Sequence, residues 1–237
     1  MATKNDALKV YSMPGTARIP SISPFCMKLE THLHMAGVRF ETEHVLFDRS
    51  PNGRLPFIEH GDVVMPESER IIRHVARTWG VDLDAGLSGR ERHQSLLVRL
   101  SLEETLRMVR TWETFCIDEN FERAREYLRA FIPASVFEMA IPQVKARQLE
   151  KLDKHGILEL SRDEVEALGC AVVDAVADAL GARPFLHGDR PTGVDAVIYG
   201  FLATEVRGVV EGAVRDRVRS HANLVDFIGR VDGRYWS

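Results

Sequence analysis

The stretch LKVYSMPGTARIPSISPFCMKLETHLHMAG, Leu8 to Gly37, decides how this chain folds. Leu8, Val10 and Tyr11 read as a short buried strand, ended by the turn signal Met13-Pro14-Gly15. Ala17 to Ile22, with Pro20 and Ser21, reads as irregular loop. A helix then begins. Ser23 suits the N-cap, where its hydroxyl accepts from a free first-turn N–H, and Pro24 suits the first helical position, where no N–H is needed. Phe25, Leu29, Leu33 and Ala36 recur at helical spacing as a buried stripe, and Gly37 ends the helix.

This arrangement puts a hydroxyl, Ser23, and a thiol, Cys26, in the first turn of one helix. The macrodipole and unpaired N–H groups there favour an anion, so a thiolate of Cys26 or of a bound ligand is stabilised. Each residue also has a plainer reading. Cys26 alone in a helix reads as a small buried hydrophobe, and Ser23 as a structural cap.

Outside this stretch, 237 residues are enough for one large or two small domains. A formal charge of -4 with both signs interspersed predicts no nucleic-acid or anionic-membrane surface. No apolar run approaches the roughly 20 residues of a membrane span. The start, MATKNDALKV, lacks the apolar core of a signal peptide. Three scattered cysteines make neither a disulfide framework nor a zinc spacing, so a reduced, cytoplasmic protein is expected. The nine histidines show no metal spacing and read as isolated.

Along the chain, residues 39–45 form an edge-type strand and Ser50-Pro51-Asn52-Gly53 a turn. Leu55 to Glu59 and Val63 to Met65 make a hairpin about His60-Gly61-Asp62. Pro56 suits a strand end or a cis peptide bond. A helix from Ser68 through Ile71, Ile72, Val75 and Trp79 stops at Gly80. After a turn-rich linker at 81–89, no further convincing strand follows. A long helix spans 90–115 and another about 120–131. One or two more, interrupted at Pro142, lie within 134–155. A capping box at Ser161 and Glu164 opens a helix ending at Leu180-Gly181. Thr192 and Asp195 cap a helix over 196–210, and a last one lies near 223–231. Cys116 and Cys170 fall in helices and are expected to be buried; Arg215, Arg217 and Arg219 read as a solvated face. The fold class is α+β, with an all-helical second half.

The β-α-β-β-β-α unit, the proline in Leu55-Pro56, the Pro66-Glu67-Ser68 run, Ser23-Pro24-Phe25-Cys26 and the Pro184-to-Asp195 capping segment together resemble the glutathione transferase superfamily. Ser21 to Gly37 and the Arg-Tyr-Trp ending bring the chain nearest its metaxin and failed-axon-connections branch, whose eukaryotic members are regarded as import or signalling factors. The resemblance implies a thioredoxin-like glutathione-binding domain over 1–81 and an all-α domain over 89–237. It also implies a homodimer, glutathione as co-substrate and a small hydrophobic electrophile as its partner.

On that resemblance, the backbone of Leu55 before Pro56 pairs with the cysteinyl unit of glutathione. Ser68, at a helix start, receives the γ-glutamyl carboxylate, and Glu67 takes the ammonium. A plain cap for Ser68 and a solvent-facing acid for Glu67 are the structural alternatives. The thiol is activated by Ser23, or Cys26 is itself reactive and the chemistry moves to mixed disulfides. Tyr11 is a third candidate beside a core-edge role. The electrophile would sit between the domains, near Arg107, Arg110 and Trp112. A non-catalytic binding or scaffolding module of the same fold is the alternative function.

Overall fold

Alternating apolar residues in the first eighty positions produce one sheet. In the computed structural model, which describes residues 6–236, the strands are β1 (Leu8–Ser12), β2 (Glu41–His44), β3 (Phe57–His60) and β4 (Val63–Pro66). Residues 1–5, part of the stretch read for a leader, and Ser237 lie outside the described residues. The sheet order is β2-β1-β3-β4, with β2 parallel to β1 and the other pairs antiparallel. Helix α1 (Pro24–Met35) crosses from β1 to β2, and α2 (Ser68–Trp79) follows β4. Leu29 and Leu33 of α1 and Ile71 and Val75 of α2 bury against Leu8, Val10 and Ile58. Phe25 and Ala36, expected in that stripe, are only half-buried.

The second domain is helical: α3 (Gly89–Leu100), a π-helical segment (Ser101–Leu106), α4 (Arg107–Cys116), α5 (Asp118–Arg129), α6 (Ala134–His155), α7 (Arg162–Leu180), α8 (Gly193–Arg207), α9 (Ala213–Ser220) and α10 (Ala222–Tyr235). Helix α8 is its axis, with Val194 through Glu205 all buried. Asp195 secures its start, one oxygen accepting from the Thr192 amide and hydroxyl and the other from the Leu186 amide. Helix α1 lies directly on α8. A Cβ at Gly200 would stand 2.6 Å from the Lys28 nitrogen and 2.7 Å from the Pro24 carbonyl oxygen, so glycine permits the contact.

Several sequence expectations change. Pro142 does not interrupt α6, which runs 22 residues through it. The proline costs about 3 kcal/mol of helix stability, offset by the burial of Phe137, Ile141 and Leu152 along the same helix. The long helix over 90–115 contains the π-helical segment. Arg215 is buried in α9, donating to the Glu205 and Gly208 carbonyl oxygens, rather than facing solvent. Cys116 and Cys170 are half-buried. His60 and His74 are not isolated: their ring nitrogens lie 2.9 Å apart, joining β3 to α2.

Candidate functional site

Ser23 caps α1 as its sequence predicts, with its Oγ accepting from the Cys26 amide at 3.4 Å and Pro24 at the first position. Capping uses an oxygen lone pair, so the hydroxyl remains a donor. The residue is half-buried, and its own amide is held by Ser21 Oγ at 3.2 Å.

Cys26 differs. It has no exposed surface and packs with Tyr11, Met13, Val45, Leu55 and Phe57. Burial pushes its thiol pKa up, outweighing the Ser23 hydroxyl and the Met13 amide that donates to its sulfur. In this structure Cys26 is a neutral core thiol, shut away from any substrate, because the sheet closes over the inner face of α1. Tyr11 is also engaged: its ring stacks on Phe57 at 4.2 Å and its hydroxyl donates to Glu59 at 2.8 Å.

The same core cluster brings Leu55 beside the first turn of α1. The Leu55–Pro56 peptide is cis. Pairing of Phe57 with Pro66 across β3 and β4 then sets Glu67 and Ser68 next to Pro56. Glu67, not Ser68, is the N-cap of α2, with φ 75° and ψ 113°, the one positive-φ residue other than glycine among the described residues. Such backbone costs about 1–3 kcal/mol. Ser68 opens the helix and is buried. The Glu67 carboxylate accepts from Asn52 Nδ2 at 3.0 Å and Arg54 Nη1 at 3.2 Å, so the loop before β3 is tied to the start of α2. An ammonium ligand at Glu67 would share that carboxylate with Arg54.

Two clamps fix the β1–α1 loop against the helical domain. Tyr127 of α5 donates to the Pro14 carbonyl oxygen at 2.6 Å, and Arg110 of α4 donates to the Ile22 oxygen at 3.2 Å, to Thr204 and to Glu205. Arg110 is therefore committed, Trp112 is buried in the helical core, and Arg107 donates to Glu104 at 3.1 Å. Beneath them, Lys28 of α1 is buried and binds both Glu69 of α2 and Glu103 of the π-helical segment, with Arg99 bridging the two carboxylates at 3.4 and 3.6 Å. Sequence reading missed this network because its members lie 41 and 75 residues apart.

Surface clefts of about 870 and 470 Å³ lie elsewhere, lined respectively by residues such as Phe40 and Trp79 and by Arg18 and Trp236. No cluster of metal-ligating side chains occurs, and no helix is long and apolar enough to cross a membrane, among the described residues.

A four-stranded mixed sheet followed by an all-helical domain, with a hydroxyl-capped helix beside a cis-proline strand, is the two-domain transferase architecture with a thioredoxin-like first domain. The family model for the glutathione S-transferase N-terminal domain matches residues 24–120, and that for the C-terminal domain matches 169–231. The chain belongs to the glutathione S-transferase family. It is similar to Failed axon connections of Drosophila melanogaster, 28% identical over 210 residues, covering 84% of this chain and only half of the fly protein. It is similar, at 27% identity, to isoprene-epoxide–glutathione S-transferase of a Rhodococcus species, over 96% of this chain and 99% of that one. Metaxin-1 of Macaca fascicularis is 24% identical over 97% of this chain and 75% of its own. Among solved structures, a glutathione transferase from Phanerochaete chrysosporium superposes with a TM-score of 0.67 at 16% identity, covering 97% of both chains. A β-etherase from a Sphingobium species gives 0.62 at 18%, covering 95% of both.

Proposed function

We propose that this chain is a cytoplasmic, homodimeric glutathione transferase that binds glutathione at the end of β1 and activates its thiol with the Ser23 hydroxyl for attack on a small electrophile. The observation that supports this most is Glu67. Positive-φ backbone at a non-glycine residue persists where its surroundings hold it, and such residues cluster at ligand sites. Here it turns the chain into α2, whose first-turn amides and Ser68 hydroxyl suit the γ-glutamyl carboxylate. Leu55 offers its backbone to the cysteinyl unit. Ser23 donates to the sulfur, favouring thiolate over thiol, and the α1 dipole acts in the same direction. With Cys26 buried, thiolate chemistry is assigned to the bound tripeptide. The Rhodococcus relative, named for an epoxide and glutathione, supports the reaction class. Dimerisation is assigned to α3, where Leu97 is 69% exposed beside exposed Leu96 and Leu100, as the family commonly pairs.

A binding module without catalysis is the second reading. It is favoured by the engagement of the Glu67 carboxylate with Arg54 and Asn52 and by the similarity to Failed axon connections and Metaxin-1. Retention on immobilised glutathione, followed by conjugation of 1-chloro-2,4-dinitrobenzene, separates the two. Transferase activity requires retention that Ser68→Ala weakens, and kcat/KM that Ser23→Ala lowers about a hundredfold, the scale of one lost donor to a reacting anion. No retention and no thermal shift with glutathione would overturn the transferase reading.

A further inference from the structure

The peptide group that enters Ser23 is held at both ends. Its N–H, on Ser23, donates to the hydroxyl of buried Ser21 at 3.2 Å, and its carbonyl, on Ile22, accepts from Arg110 Nη2 at 3.2 Å. The Ile22 amide donates in turn to the Pro14 carbonyl oxygen at 3.3 Å, and that oxygen also accepts from the Tyr127 hydroxyl at 2.6 Å. Both clamps from the helical domain therefore converge on the residue just before the hydroxyl assigned to thiol activation. The guanidinium is itself anchored. The Arg110 side chain is 12% exposed, its Nη1 donates to Thr204 Oγ1 at 2.8 Å and to Glu205 Oε1 at 3.0 Å, and the Glu205 side chain is 2% exposed in α8. A Cβ at Gly208 would stand 3.3 Å from Arg110 Nη2, so glycine leaves the guanidinium its room. A charge this far from water persists because it is paired and hydrogen-bonded, which fixes its place before it meets the loop.

We propose that Arg110 and Tyr127 are positioning residues, which set the Ile22–Ser23 peptide so that the Ser23 hydroxyl directs its free proton at the sulfur of bound glutathione. This rests on the transferase reading. The Ser23 Oγ accepts from the Cys26 amide at 3.4 Å, beyond the usual range of such bonds, so the cap by itself holds the hydroxyl loosely. Its aim is set by the backbone that carries it. Misplacing a reacting group by about 1 Å costs about a hundredfold in rate, even when the change is made away from the chemistry.

The test titrates the thiol of glutathione bound to the full chain by its thiolate ultraviolet absorbance, and measures kcat and KM for glutathione with 1-chloro-2,4-dinitrobenzene. In Arg110→Lys the ammonium stays with Glu205, because a bond to a carboxylate is roughly twice as strong as one to a neutral carbonyl. The buried charge stays paired while Ile22 loses its donor, since one ammonium does not span what the guanidinium fork spans. The bound thiol pKa is expected to rise by about one unit and kcat to fall about tenfold, with KM for glutathione within about twofold of the parent. Tyr127→Phe keeps the ring, removes the donor to Pro14 and moves both readouts the same way by a smaller amount; it carries the test should Arg110→Lys fail to fold. A parent that binds glutathione as thiolate, with variants that leave its thiol pKa and kcat unchanged, overturns the positioning role. So does a loss confined to KM or Tm, the mark of a clamp that only holds the loop. A parent with no bound thiolate overturns the transferase reading itself, and this inference falls with it.

Discussion

Replacing Lys28 with methionine removes one charge while keeping most of the stem that packs between α1 and α8. The Lys28 side chain is 1% exposed and its ammonium meets Glu69 and, at 2.5 Å, Glu103. Without it, Glu103, 10% exposed, retains only Arg99 at 3.6 Å, and Glu69 retains Arg99 at 3.4 Å. Two carboxylates then share one partly exposed guanidinium. Breaking a buried pair from one side costs about 3–5 kcal/mol, since the surviving charge stays desolvated. Lys28→Met is therefore expected to lose about that much stability in urea denaturation at neutral pH, lowering Tm by roughly 6–20 °C for a chain of this size. Lys28→Met combined with Glu103→Leu removes the orphaned charge and is expected to recover most of the loss. The network ties α1 and α2 to α3 and the π-helical segment, so fluorescence of Trp79 and of the helical-domain tryptophans should report one transition in the parent and two in the single variant. Burial acts to raise the Glu69 pKa, but Lys28 and Arg99 outweigh it and hold the carboxyl below its usual value. Its contribution is thus present above the ordinary carboxylate pKa and is lost as pH falls through the lower folded value. A single variant within about 1 kcal/mol of the parent, or a double variant weaker than the single, would refute this reasoning.

Other expectations follow from the same geometry. Burial pushes Glu30 up to about 7 from 4.5, so the folded protein holds that proton longer and stability should fall as pH rises between those values; Glu30→Gln should flatten the slope in denaturation curves. His32, held down to about 4 by burial and then by Lys28, acts oppositely, with stability lost as pH drops from 6.5 towards 4, and His32→Gln should remove that acid-side loss. Gly200→Ala drives a methyl into the α1 backbone and should cost about 1–3 kcal/mol or more, with weaker glutathione retention because the first turn of α1 carries Ser23. Cys26→Ala should lower stability by about 1–2 kcal/mol for a lost core group while leaving conjugation kinetics near those of the parent, and loss of kcat instead would return Cys26 to the chemistry.

The sequence by itself determined whatever is encoded within a few residues. Ser23 and Pro24, Gly37, Gly80, and the pairs Ser161–Glu164 and Thr192–Asp195 start and stop helices through bonds at most four residues long, so the strand and helix order of the first domain and the two-domain architecture were legible before any coordinates, whereas α9 was not. The candidate residues Ser23, Leu55, Pro56, Glu67 and Ser68 were singled out through the motifs that carry the family resemblance. Tertiary structure decided which side chains remain reachable and which charges find partners. Ser23 and Cys26 share one helical turn, yet only the packing of α1 on the sheet leaves the serine half-exposed and seals the thiol. Arg215 and Arg217 alternate alike in sequence, but only the fold sends one to buried carbonyl oxygens and the other to Asp174 at the surface. Arg99 and Glu103 are four residues apart, but the Lys28 contacts to Glu69 and Glu103 carry no local signal, because desolvation and Coulomb attraction depend on distance in space, which sequence separation does not fix.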